Sequence, residues 1–271
     1  MWKSVYIVFM LIFMLGCADI RTSVVKKEVN RFQGIQLLRA MGEAHHIGSW
    51  DTISTYRVYF QDHFFGKVGA FGNPFPDEVT AMQLDYIPGT FDGRIAFLSG
   101  TWRERQWGIM SWQTYEKDSA LDSVIFKKNK DARFWIPTYQ YFLEFPARIQ
   151  EATAVGYAGQ KQIGDFSCEG IMVSWGTLAP QRKTDQYLIW TDKTSHRIIK
   201  IVYTIREMNT FLKGAVYFND YEIWNGLLLP MRMPVESNLV RDGMLHEMRI
   251  DSILFDVIPP ADLRPEMTEI E

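Results

Sequence analysis

The chain has 271 residues, of which 47% are hydrophobic and 23% charged, and its net charge is −3. This composition is typical of a globular protein and leaves room for one large β-rich domain. The slightly acidic balance argues against a nucleic-acid partner, which would favour a basic patch or stripe.

The N-terminus resembles a bacterial export signal. Lys3 is followed by the apolar run Val5–Leu15, which suits a signal peptide and is shorter than the roughly 20 residues of a transmembrane helix. The run ends in Gly16-Cys17, which is similar to a lipobox, so we predict a lipoprotein signal peptide over 1–16 and an acylated (for example palmitate-bearing) Cys17. A simple secretory signal or an uncleaved anchor is the alternative. Acylation would leave Cys168 without a disulfide partner, so stability must come from the core.

An amphipathic helix is predicted at about 24–46, because apolar residues recur there at helical spacing. Its stripe is expected to dock on a sheet. His45 and His46 follow at its end. Since adjacent histidines do not share a helix face, we interpret them as helix-end residues and not as metal ligands.

Strands follow from Tyr56, where apolar and polar residues begin to alternate. The predicted strands lie near 56–60, 82–86, 94–98, 106–115 and 121–126. Gly66–Asp77 is predicted as a long loop rich in glycine, proline and phenylalanine. It lacks the Gly-Lys-Ser/Thr ending of a phosphate-binding loop.

A short aromatic helical insert is predicted at about 131–149. Pro137 suits its first turn and Pro146 its end. Its apolar residues at helical spacing include Tyr141, Phe142 and Phe145. Two interpretations remain open: these rings fill the core, or they lie over the opening of a cavity.

The remainder is predicted as an antiparallel meander after a linker at Ala152–Gly164. Strands are expected near 169–175, 186–191 and then to Val257, the second of them apolar on both faces and therefore central. Asn225-Gly226 and Asp242-Gly243 are typical of tight hairpin turns. The alternation of apolar residues is interrupted after Asp251, where it shifts from Ile250 to Ile253 and Phe255, and this predicts a β-bulge.

Two segments, Asp185–Glu207 and Tyr221–Pro230, resemble the LolA/LolB superfamily of envelope proteins. The mature chain, including Phe134–Phe142, is also similar to a group of bacterial outer-membrane-type lipoproteins. The resemblance implies a mainly β (α+β) fold in one domain over 17–271: a curved antiparallel half-barrel whose apolar face is covered by the N-terminal helix and the insert. It also implies a membrane-anchored lipoprotein of the cell envelope, in the outer membrane more than the inner, that carries or sorts lipids or lipoproteins.

A binding site for a lipid or another hydrophobic ligand is the leading hypothesis, with no cofactor and no metal. Unbranched methionines adapt to flexible chains, and apolar concave pockets are typical ligand sites. The same side chains also fill cores that bind nothing, so core packing is the alternative for each of them. The candidate residues are Tyr203, Ile205, Phe218, Met231, Met233, Met248, Tyr141, Phe142 and Phe145.

A protein-binding envelope sensor or scaffold without lipid is the second hypothesis, and a hydrolytic enzyme the third. The sequence has neither Gly-x-Ser-x-Gly nor His-Glu-x-x-His. Asp62-His63 and His246-Glu247 place acid beside base, but neighbours along a strand point to opposite faces and would need partners brought by folding. Cys168 is a candidate thiol nucleophile or an inert core residue. We therefore predict no enzymatic activity.

Overall fold

A computed structural model describes residues 17–117, 124–239 and 243–266. The predicted signal peptide, residues 1–16, lies outside the described residues. So do residues 121–123 of one predicted strand and Asp242 of one predicted turn.

Fourteen strands form one antiparallel sheet, which confirms the predicted mainly β fold class. Their order is β6-β5-β4-β3-β2-β1-β14-β13-β11-β10-β9-β8-β7, and β12 pairs with β13 beside this path. The strands are β1 (Tyr56–Phe64), β2 (Val79–Tyr86), β3 (Gly93–Phe97), β4 (Gln106–Met110), β5 (Gln113–Lys117), β6 (Ile125–Phe126), β7 (Ala154–Ile163), β8 (Phe166–Ser174), β9 (Gln186–Asp192), β10 (Ile198–Thr204), β11 (Lys213–Tyr217), β12 (Asn219–Trp224), β13 (Leu227–Ser237) and β14 (Met244–Phe255).

The helices are short and few compared with the strands. They are α1 (Ser23–Lys27), α2 (Arg31–Ala44), α3 (Gly66–Gly72), α4 (Lys130–Leu143) and α5 (Phe145–Arg148), with single 3₁₀ turns at Ile47–Thr52, Gly100–Trp102, Ile149–Glu151 and Pro260–Leu263. Two helices, α1 and α2, therefore occupy the region where one was predicted.

The chain divides into two compact units. Unit 1 comprises the chain up to Ala44, Ile149–Tyr217 and Val235–Met244. Unit 2 comprises His45–Arg148, Phe218–Pro234 and the chain from Leu245 onward. In unit 1, α2 packs on β7 and β8; in unit 2, α4 packs on β3, β4 and β5.

The insert is helical and begins at Lys130, next to its predicted start at about 131, but the predicted place of Pro137 in the first turn is wrong. Asn129 caps α4, because its side-chain oxygen accepts a hydrogen bond from the Ala132 N–H at 2.9 Å. A good N-cap supplies an acceptor for an otherwise unpaired donor. Pro137 consequently lies inside the helix and not in its first turn, and residues such as Ile136 and Tyr139 face the core.

The predicted linker at Ala152–Gly164 is wrong, because most of it forms β7. A Cβ atom on Gly156 would lie 2.9 Å from Val29, and one on Gly159 would lie 2.9 Å from Val24. Glycine at these positions therefore reflects close packing of the N-terminal segment on the strand. The predicted loop at Gly66–Asp77 is also partly wrong, since it begins with α3.

Three local predictions in the later strands are confirmed. Asn225 and Gly226 have φ angles of 48° and 83° and join β12 to β13, as a type I′ turn requires. Strand β9 is buried on both faces. Tyr59 pairs with Ser252 and Phe60 with Ile250, which leaves a bulge at Asp251.

Candidate ligand-binding site

Four of the nine predicted ligand residues form one run of aromatic contacts within unit 2. The ring centroids of Tyr141 and Phe145 lie 5.6 Å apart, and those of Phe142 and Phe145 lie 6.3 Å apart. Phe145 contacts Phe218 at 6.5 Å. Phe142, Phe145 and Phe218 are buried, whereas Tyr141 is half-buried.

The three predicted methionines are also in unit 2. Met231 and Met233 alternate with Arg232 along β13 and are buried. Met248 is buried on β14, where it pairs with Asp62 of β1. Their burial is compatible with either interpretation of these residues, a ligand-binding lining or a core.

Tyr203 and Ile205 lie in unit 1, at the end of β10, and both are half-buried. Tyr203 covers Gly214 of the neighbouring strand, where an added Cβ would come within 2.8 Å of the tyrosine ring. The tyrosine ring also stacks against Tyr187 with a centroid separation of 6.5 Å. The nine predicted residues are thus distributed over both units.

An open cleft of about 310 Å³ lies on β10, β11 and β13 of unit 1. Charged side chains lie on one side of it: Lys200 donates to Glu236 at 3.0 Å and also bonds the Tyr217 hydroxyl. This cleft was not predicted from the sequence, because its walls come from three strands. Its lining consists of Lys200, Val202, Lys213, Gly214, Ala215, Glu236, Ser237, Asn238 and Gly243.

A buried polar cluster in unit 2 escaped the sequence analysis. The His246 Nδ1 and Asp62 Oδ1 atoms lie 2.8 Å apart, and the Tyr139 hydroxyl donates to Asp62 Oδ2 at 2.7 Å. His246 stacks on Phe64 at 4.7 Å and meets the edge of Trp135 at 5.7 Å. Folding therefore brings Asp62 of the Asp62-His63 dipeptide next to His246 of the His246-Glu247 dipeptide.

Within this cluster, the hydroxyl group of Tyr139 has a defined protonation state. Burial, followed by the charge of Asp62, raises the pKa of Tyr139 well above its ordinary value. The phenol therefore stays protonated and acts as a donor. The other members of the two dipeptides have separate partners: His63 Nε2 lies 3.1 Å from Glu78 Oε1, and Glu247 forms an ion pair with Arg232 at 3.1 Å.

A second buried carboxylate, Glu144, follows α4. It accepts hydrogen bonds from Tyr56 Oη at 2.8 Å, Gln140 Nε2 at 2.8 Å and Gly89 N at 3.0 Å, and it pairs with Arg148 at 2.8 Å. Burial raises its pKa despite these donors. The contacts tie the helical insert to the adjacent loop and to β1, which gives this carboxylate a structural role.

The remaining candidates do not form a reactive centre. His45 is buried and approaches the Leu228 carbonyl at 3.1 Å, and His46 is the exposed residue that follows it. Cys168 is fully buried, and burial raises the pKa of its thiol. Among the described residues, no three His, Cys, Asp or Glu side chains are grouped so that they could hold a metal ion.

Solved structures with the same architecture are found despite low sequence identity. A candidate outer membrane lipoprotein-sorting protein domain from Vibrio parahaemolyticus matches with a TM-score of 0.56 and 12% identity, over 86% of this chain and 97% of that one. A LolA superfamily protein from Nitrosomonas europaea matches with a TM-score of 0.55 and 8% identity, over 85% and 96% of the two chains. The chain has a LolA-like fold.

This LolA-like fold is shared with a DUF1329 family protein from Desulfovibrio piger, which matches with a TM-score of 0.55 and 12% identity over 87% of this chain and 98% of the other. The predicted resemblance to the LolA superfamily is therefore confirmed at the level of structure. No protein-family model and no curated protein matches the sequence. None of the helices within the described ranges has both the length and the apolar character needed to cross a bilayer.

Proposed function

We propose that this chain is an envelope lipoprotein, anchored through an acylated Cys17, whose LolA-like fold binds the acyl chain of a lipid or lipoprotein. The observation that carries the proposal is the match, over most of both chains, to a candidate lipoprotein-sorting domain. The lipobox-like Gly16-Cys17 supports the anchor, and the similarity to an outer membrane lipoprotein-sorting domain supports an outer-membrane location.

We assign the aromatic run Tyr141, Phe142, Phe145 and Phe218, with Met231, Met233 and Met248, as the ligand-binding residues of unit 2. Tyr203 and Ile205 are the candidates of unit 1. An acyl chain gains roughly 0.8 kcal/mol for each buried methylene. Aromatic rings and adaptable methionines can supply that burial without directional bonds.

The test begins with full-length protein extracted from membranes in mild detergent. Mass spectrometry of its organic extract should show a non-covalent lipid, and mass spectrometry of the intact protein should show the acyl groups on Cys17. We expect Tyr141→Ala to retain about tenfold less lipid, which corresponds to ~1.4 kcal/mol of binding free energy. This half-buried ring contacts Phe145 and can be removed with less damage to the core than its buried neighbours.

Ile223→Ala is the matched control, because Ile223 is an exposed side chain of the same unit and is not assigned to the site. It should retain as much lipid as the wild type. Wild-type protein that carries no lipid after gentle extraction would contradict the carrier function, and a crosslinked protein partner in its place would favour the sensor or scaffold.

A further inference from the structure

The residues that follow Cys17 are bound to unit 1. The Ala18 N–H donates to the Thr210 carbonyl at 2.8 Å, and Arg206 Nη2 donates to the Ala18 carbonyl at 2.9 Å. Arg206 also bonds the Thr210 carbonyl and is itself buried. Both Arg206 and Thr210 belong to the β10–β11 loop, residues 205–212, so this loop holds the start of the mature chain.

The next residues continue this attachment. Ile20 is buried in the core of unit 1 with neighbours that include Val25 and Trp190. Asp19 accepts two hydrogen bonds from the Arg21 side chain at 3.0 Å, and these bonds lower the pKa of Asp19 to about 2. The chain from Ala18 onward is therefore packed and hydrogen-bonded, unlike a flexible linker.

We propose that the β10–β11 loop of unit 1 is the surface that lies against the lipid headgroup layer. The proposal rests on the acylation of Cys17 given above as part of the proposed function. Consecutive Cα atoms are ~3.8 Å apart, so an acylated Cys17 places the bilayer surface within a few ångströms of Ala18 and of the loop that binds it. The loop exposes Met208, whose side chain is 58% accessible.

The contact between the β10–β11 loop and the membrane depends on the lipid anchor and on an apolar side chain, and not on charge. Glu207 within the loop and Lys213 immediately after it are both exposed and carry opposite charges. We therefore expect the loop to contact zwitterionic and anionic membranes alike. An interfacial apolar side chain lies about 5–10 Å below the headgroup boundary, a depth that a methionine held beside the anchor can reach.

The opposite end of β10 provides the matched control. Thr194 is exposed in the β9–β10 turn. The seven residues of β10, at ~3.3 Å per residue, place this turn ~23 Å from the loop. A probe at Thr194 should therefore remain in water while a probe at Met208 contacts lipid.

The experiment uses full-length acylated protein in phosphatidylcholine vesicles that contain a doxyl-labelled quencher lipid. Met208→Cys and Thr194→Cys are labelled in turn with an environment-sensitive fluorophore; the buried Cys168 thiol is protected. We expect the probe at position 208 to lose most of its fluorescence and the probe at 194 to lose little. Replacing half of the lipid by phosphatidylglycerol should leave both results unchanged.

Equal quenching at the two positions, or strong quenching at 194 alone, would overturn the proposal. Mass spectrometry of the same sample reports the acylation of Cys17 separately. Absence of the lipid anchor would count against the proposed function, whereas an acylated protein with the wrong quenching pattern would count against the membrane-facing surface. Arg206→Gln should reduce the quenching at position 208 while Cys17 stays acylated. A circular dichroism spectrum matching the wild type shows that this variant has folded.

Discussion

Tyr139, Asp62 and His246 form a buried polar cluster whose members come from distant parts of the sequence. A donor or acceptor that loses its only partner in the interior retains the full penalty of desolvation. Asp62 Oδ2 receives the Tyr139 hydroxyl and Asp62 Oδ1 lies beside His246. These side-chain contacts therefore link α4 to β1 and β14.

Tyr139→Phe should lower the free energy of unfolding by about 1–3 kcal/mol, because it leaves a buried carboxylate oxygen without its donor. Urea denaturation followed by tryptophan fluorescence measures the change. Tyr157→Phe is the control, since its hydroxyl contacts Glu169 at 3.4 Å and the residue is partly exposed; a change within about 0.5 kcal/mol is expected there. Equal losses in both variants would show that the bond to Asp62 contributes nothing specific.

Asp185 should make unfolding depend on pH in a defined direction. Burial raises its pKa above the ordinary value of 3.8, although Arg206 N–H and Thr204 Oγ1 donate to it. The folded chain therefore binds the proton more tightly than the unfolded chain. The resulting stability is fully present below pH 3.8 and is lost as the pH rises through the raised pKa.

Asp185→Asn keeps an oxygen for both donors and removes the titration. We expect the variant to gain stability relative to the wild type at pH 7, and this advantage to shrink as the pH falls towards 3.8. Urea denaturation at a series of pH values measures the difference. A constant difference at every pH would contradict the raised pKa.

At the scale of elements, the approach of α2 to β7 depends on two facing glycines. A Cβ on Gly34 would lie 2.8 Å from the backbone carbon of Gly156 and 2.9 Å from the Tyr157 nitrogen. Alanine is the better helix former by about 1 kcal/mol. The steric conflict with backbone atoms outweighs that gain, because the strand must move away from the helix.

Gly34→Ala should therefore destabilise the protein by about 1–3 kcal/mol, the usual range for overpacking. Thermal unfolding in a calorimeter measures the loss. Gly48→Ala is the control, since no atom lies within 4 Å of its added Cβ. A more stable Gly34→Ala variant would mean that helix propensity dominates and that α2 can shift freely.

Elements whose signals are local could be predicted from the sequence. Alternation, the Asn225-Gly226 turn and the phase shift at Asp251 all act within a few residues, and the structure contains each of them. Strand β7 was missed because glycines are typical of a linker. The reason for them is the segment packed against the strand, which the sequence does not reveal. Pro137 was wrongly placed in the first turn of α4, because the helix begins earlier, after the cap that Asn129 supplies.

The polar cluster could not be predicted, because Asp62 and His246 are 184 residues apart. The alternation of apolar and polar residues in each strand is consistent with Asp62 and His246 lying on the buried face of the sheet. Their proximity, however, depends on the register of β1 with β14. The distribution of the candidate ligand residues over two units is likewise a product of topology. The sequence indicated which residues are apolar, and the fold determined which of them meet.

At the scale of the whole molecule, neither unit is a continuous stretch of chain. The chain passes between the units after Ala44, Arg148, Tyr217, Pro234 and Met244. Strand β1 is paired on one side by β2 and on the other by β14, which lies nearly 200 residues further along the chain. A fragment of the first long segment of unit 2 would therefore expose an unpaired strand edge.

Residues 45–148, expressed alone, should not fold cooperatively, because the fragment lacks β14 and the His246 partner of Asp62. Its urea denaturation curve, followed by near-UV circular dichroism, should show no sigmoidal transition, whereas residues 17–271 should show one. A fragment with a sharp transition and native-like near-UV bands would contradict this dependence on the distant strand.

The bulge at Asp251 has a consequence for gene sequences. Ile250 and Ile253 are both buried although three positions separate them, and the extra residue restores the alternation after the interruption. A relative with one codon fewer at this point should carry its apolar residues in a single uninterrupted phase through the strand. A deletion of Asp251 alone would leave Ile250 and Ile253 two positions apart and on the same face, so it would need no compensating change in the flanking codons.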